Sequence, residues 1–106
     1  MAIKDWNIEA MIGYVPKTTF YTDFSIAEGF GKDAIIDTCN RAFNGWKSNT
    51  EYLTELVMAL NWKIWEHYEH NNELAELYNS LWDKLDRWAT THLIGDDLAY
   101  YYRTTD

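Results

Sequence analysis

The stretch Glu51-Tyr52-Leu53-Thr54-Glu55-Leu56-Val57-Met58-Ala59-Leu60-Asn61-Trp62-Lys63-Ile64-Trp65-Glu66-His67-Tyr68-Glu69-His70 decides the fold. Leu53, Leu56, Val57, Leu60, Ile64 and Tyr68 recur every three or four residues, which is the period of an α-helix. Met58, Trp62 and Trp65 fall on its other faces. A helix this apolar around its girth is usually central, with other helices around it. Asn49 or Thr50 can cap its start, because a short polar side chain accepts from the free N–H groups of the first turn.

The neighbours follow the same period. Asn71-Asn72 interrupts it, and Asn72 can cap a further helix from about Glu73 to His92, with Leu74, Leu77, Tyr78, Leu81, Leu85 and Trp88 on one side. So short a break makes the two helices an antiparallel hairpin. Upstream, Ile35, Cys39, Ala42 and Trp46 form a stripe over about Lys32 to Lys47, with Ile36 and Phe43 beside it. Phe20, Phe24 and Ala27 form another over Phe20 to Glu28, capped by Thr18 or Thr19 and ended by Gly29 and Gly31. Gly95 should end the helix that closes at His92, and Asp96-Asp97 can open a last short helix through Tyr100 to Tyr102. With one proline and five glycines, the chain lacks the turn residues of a long β-meander. Residues 1–16 read either as alternating strand, through Trp6, Ile8, Ala10, Ile12 and Tyr14, or as a short helix. They are expected to be an irregular arm. The expectation is all-α: a compact bundle of four to five helices over residues 17–106, with an N-terminal arm over 1–16.

Charge and cysteine content narrow the function. Seventeen acids against nine bases give a net charge of −8. Such a chain repels nucleic acid and anionic membrane, so the expected partner is a protein with a basic surface, not nucleic acid or lipid. No apolar run is long enough to span a bilayer, the first residues lack a signal-peptide core, and Cys39 has no second cysteine to pair with. Together these point to the cytoplasm.

No catalytic pattern emerges. Glu66-His67-Tyr68-Glu69-His70, followed by Glu73, sets acids and histidines one turn apart. It matches neither the Glu-x-x-His pair of di-iron bundles nor His-Glu-x-x-His. A metal-dependent enzyme using Glu66, Glu69, His70 and Glu73 is therefore the weakest alternative. Cys39 and His92 could form a nucleophile and base, but Cys39 lies on an apolar stripe, where cysteine is inert packing. Gly29-Phe30-Gly31-Lys32 lacks the remaining glycines of a phosphate loop. The expectation is a non-enzyme with no cofactor and no metal.

Two surface features remain. Six Trp, eight Tyr and four Phe exceed what one small core needs, and three consecutive residues, Tyr100-Tyr101-Tyr102, cannot all face inward on a helix. Trp62, Trp65, Tyr100 and Tyr101 are therefore candidate interface anchors, whereas Phe43, Trp46, Tyr68 and Trp88 are expected in the core. The acids are uneven. Residues 1–50 hold six against five bases, and residues 51–106 hold eleven against four. Glu66, Glu69, Glu73 and Glu76 step by three and four residues, and a tight helix break would align them as a carboxylate row like the phosphates of DNA. The alternative reading is a solvated face that maintains solubility.

Parts of the chain are also similar to known sequences. Thr18-Thr19-Phe20-Tyr21-Thr22-Asp23-Phe24-Ser25-Ile26-Ala27, Asp37-Thr38-Cys39-Asn40-Arg41-Ala42-Phe43, Tyr52-Leu53-Thr54-Glu55-Leu56-Val57, Asn61-Trp62-Lys63-Ile64-Trp65 and Tyr102-Arg103-Thr104-Thr105-Asp106 resemble a family of small uncharacterised proteins. These come from Gram-positive bacteria, their phages and integrative mobile elements. The resemblance implies a setting in which small accessory proteins inhibit host defences, some as acidic DNA mimics. It supplies no catalytic residues. The leading expectation is a non-catalytic protein-binding module of that kind. The alternative is an assembly protein that self-associates, as a homodimer for instance, through its aromatic face.

Overall fold

Thr50–His67 is the helix that every other helix touches. In the computed structural model, which describes residues 17–105, the elements run α1 (Lys17–Glu28), α2 (Lys32–Asn44), α3 (Thr50–His67), α4 (Asn72–His92) and α5 (Gly95–Thr105). Among the described residues every regular element is a helix, so the chain is an all-α bundle. The arm expected over residues 1–16 lies outside them. α3 packs on α1, α2, α4 and α5, and its closest partner is α4. The Tyr68–Asn71 link is short, so α3 and α4 run antiparallel as a hairpin.

The core follows the helical stripes. Phe20, Phe24 and Ala27 of α1, Ile35 and Cys39 of α2, and Leu53, Leu56, Val57, Ala59 and Leu60 of α3 are buried together with Tyr78, Leu81, Leu85 and Ala89 of α4 and Tyr101 of α5. Burying one such aliphatic or aromatic side chain stabilises by about 1.5–3 kcal/mol, so the stripes account for why the helices cohere. Aromatic edges lock the seams: Phe24 meets Tyr78 at 5.6 Å, and Trp88 takes the edges of Phe43 and Trp46 at 5.0 Å each. Tyr52 Oη donates to the Ala42 carbonyl at 2.6 Å and Tyr101 Oη to Asp86 at 2.7 Å, so the phenols that enter the core are satisfied.

Several boundaries differ from expectation. Asn71, not Asn72, caps α4, its side chain accepting from Leu74 N at 3.1 Å; Asn49 caps α3 through Tyr52 N at 3.0 Å. α2 stops at Asn44 instead of continuing to Lys47. Gly45 N–H closes the helix on Ala42 O and Trp46 N–H on Phe43 O, and Lys47 and Ser48 then turn through left-handed conformations at φ 47° and 61°. Gly95 does not end α4. That helix ends at His92, with Leu93 extended, and Gly95 at φ 60° opens α5, a conformation that suits a residue without Cβ.

Candidate interaction surface

Lys63 has the least expected place in the molecule. It follows Leu56 and Leu60 on the inward line of α3 and is 0% exposed. Its ammonium has three N–H groups and finds three acceptor groups: Ser25 Oγ at 2.9 Å, Glu28 Oε2 at 3.0 Å and Glu66, whose two oxygens lie at 3.2 Å. The Tyr21 ring lies 4.4 Å from Nζ, close enough for a cation–π contact. Glu28 Oε2 also accepts from Tyr78 Oη at 2.6 Å and pairs with His67 Nε2 at 2.9 Å, and Tyr21 Oη donates to Glu66. His67 stacks flat on Tyr78 at 5.9 Å. One ammonium thus joins α1, α3 and, through Glu28 and Tyr78, α4.

The titration behaviour follows from this geometry. Burial pushes the Glu28 carboxyl up, but hydrogen bonds from Tyr78, Lys63 and His67 outweigh it and hold the group below its ordinary 4.5. Glu66 is likewise lowered, burial being outweighed by Tyr21 and Lys63. Burial, then the Glu28 carboxylate, pushes the Tyr78 phenol far above its ordinary value. The Tyr21 phenol is raised first by its hydrogen bond to Glu66.

Donor atoms of Glu28, Glu66 and His67 lie within 4.8 Å of one another, the spacing of a metal site. The Lys63 ammonium already bonds both carboxylates, and a dication entering there would meet a fixed positive charge. The cluster is an internal salt bridge closed on itself. The metal set considered from the sequence, Glu66 with Glu69, His70 and Glu73, is not assembled among the described residues. Cys39 is fully buried, and burial pushes its thiol up to about 11. His92 stacks on Trp88 at 4.4 Å and bonds the Trp88 carbonyl through Nδ1.

The opposite side of α3 faces solvent. Trp65 is 67% exposed and Tyr68 57%, their rings 5.6 Å apart and inclined at 52°. Trp62, at 40%, lies one turn before Trp65 and edges onto Tyr21 at 6.0 Å. Tyr68 was expected in the core. α3 ends at His67 and the chain turns toward α4 there, so no neighbour covers it. The other two anchor candidates lie elsewhere. Tyr101 is 0% exposed, because it occupies the inward side of α5. Tyr100 is half-buried with Arg103 5.8 Å from its ring, and it borders a groove at the N-terminal end of α3. About fifteen residues of helix, some 22 Å, separate that end from Trp65.

The four carboxylates are divided among α3, α4 and the turn that joins them. Glu66 and Glu69 precede the chain reversal, while Glu73 and Glu76 follow it on the returning α4. Glu66 is committed to Lys63 and Tyr21, and Glu73 pairs with Lys32 at 2.7 Å. Glu69 and Glu76 are exposed and make no ion pair among the described residues. No family model matches this sequence, and no curated protein or solved structure matches it either.

Proposed function

We propose that this chain is a non-catalytic protein-binding module that engages a basic protein surface through the solvent side of α3. One observation carries the reading: Trp65 and Tyr68 lie side by side in solvent at the end of a helix whose other side is held by the Lys63 cluster. Aromatic side chains are favoured anchors at interfaces, and a fixed platform loses little entropy on binding. The open carboxylates Glu69 and Glu76, and the net charge of −8, favour a basic partner.

The finer reading is an inhibitor of a nucleic-acid-handling host-defence protein. It draws on the acidity and on the likeness of residues 18–106 to small proteins of Gram-positive mobile elements. With Glu66 and Glu73 already paired, DNA mimicry by a continuous carboxylate row is the weaker form of that reading, and the aromatic pair takes the leading part.

Capture experiments from a Gram-positive host lysate test the proposal, comparing the unaltered chain, Trp65→Ala/Tyr68→Ala and Tyr102→Ala. Tyr102 is an exposed aromatic on α5. Loss of the same captured protein in the double variant, but not in Tyr102→Ala, is expected. Undiminished capture by the double variant would overturn the reading.

A further inference from the structure

We infer that the Trp65–Tyr68 pair is a receptor for an arginine side chain of the partner. The inference rests on the reading of α3 as the binding face and specifies what that face recognises. Three features of different origin converge there. The two rings are inclined at 52° with centroids 5.6 Å apart, so they present non-parallel π-faces to one approaching group. Their negative faces attract a cation. Trp65 lies on the last turn of α3 and Tyr68 is its C-terminal cap, at the helix end that carries the partial negative charge of the backbone dipoles. Glu69, four residues after Trp65, is exposed and makes no ion pair among the described residues.

The fold already joins cations to aromatic rings elsewhere: Lys63 lies over Tyr21 at 4.4 Å and Arg103 over Tyr100 at 5.8 Å. Among the described residues no cation lies over Trp65 or Tyr68, although this pair is the more exposed. Charge argues against a second copy of the chain as occupant, because each copy would bring a net −8 and the same carboxylates. Arginine fits better than lysine. Its planar guanidinium can stack on one ring and still direct N–H groups to Glu69 and to the last carbonyls, whereas a compact, strongly hydrated ammonium cannot do both.

The test uses the full chain and three peptides lacking aromatic residues. They alternate glycine with arginine, with lysine or with the neutral isostere citrulline. The Trp65 indole N–H is followed by NMR while affinity is titrated. The arginine peptide should shift that resonance, and Trp65→Ala should weaken its binding about tenfold, as loss of a partly desolvated cation–π contact would. Glu69→Gln should weaken it less. Asp96→Asn/Asp97→Asn, which removes two exposed charges at the start of α5, should leave it nearly unchanged. Equal affinity and equal shifts with the lysine peptide, or no effect of Trp65→Ala, would overturn the inference in favour of diffuse charge attraction. If no arginine contact forms while Trp65→Ala/Tyr68→Ala still abolishes protein capture, the inference fails and the binding-module reading stands. If capture is also unaffected, both fail.

Discussion

An ammonium group withdrawn from water is tolerated only when fixed acceptors replace its hydration, and Lys63 meets that requirement with Ser25, Glu28 and Glu66. Replacing it by methionine keeps the stem's packing but leaves two carboxylates facing each other without a cation. Breaking a buried pair in this way costs about 3–5 kcal/mol; both carboxylates retain some solvent access, so the lower end is expected here. Urea unfolding of Lys63→Met should show that loss, and adding Glu28→Gln should recover part of it. The pH dependence has a definite sign. Glu28 and Glu66 are held below their ordinary 4.5, so the stability they contribute is fully present above that value. It is lost as pH falls through their lower, folded values. In Lys63→Met, burial acts on the same carboxylates without the ammonium, and protonation then relieves repulsion. The gap between the two proteins should therefore narrow from pH 6 to pH 3. A gap constant over that range would mean that the Lys63 ammonium does not set these titrations.

At the scale of the helices, the ends carry the sharpest expectations. Asn71 accepts from Leu74 N and thereby satisfies one of the free N–H groups that open α4. Asn71→Ala should cost about 1 kcal/mol in thermal or urea unfolding, whereas Asn72→Ala, already inside the helix, should cost a few tenths at most. Equal effects would mean that the cap is shared. Adjacent asparagines are equivalent to a sequence reading, since either can cap, and only the backbone turn selects one. The same limit explains the other differences. The three-and-four spacing located α1 to α4, because the period reports which side faces a core, and the Asp96-Asp97 pair marked the opening of α5. The spacing misplaced Tyr68, because it extended the stripe beyond the residue where the hairpin turns. The place of Lys63 was legible in principle: Leu56, Leu60, Lys63 and His67 keep the inward spacing, and a charged residue on that line asks for a counter-charge. Glu66, one turn on, was legible as such a partner, but Ser25 and Glu28 were not, since they lie more than thirty residues away and meet Lys63 only through the packing of α1 on α3.

For the molecule as a whole, the question is whether the exposed aromatic face joins two copies of the chain. The bundle is small, with a Cα radius of gyration of 14.0 Å, so a second copy would add net −8 to net −8 across a short distance. At low ionic strength that repulsion is weakly screened. A stable dimer also needs about 800 Å² from each partner, more than Trp65, Tyr68 and a half-covered Trp62 supply. Of the remaining aromatics, Tyr101 is in the core and Phe43 and Trp46 are partly buried with their edges on Trp88, whereas Phe30 and Tyr102 stay exposed off α3. Sedimentation equilibrium should therefore give a single species near 12.6 kDa at low salt up to about 100 μM, a concentration at which even weak dimers are populated. Added salt weakens the repulsion, so any residual self-contact through Trp65 should appear at about 0.5 M salt and be abolished by Trp65→Ala. A dimer already present at low salt, and dissolved by Trp65→Ala, would reverse the assignment of this face. It would then be a surface between copies, and the basic partner would have to be sought elsewhere on the molecule.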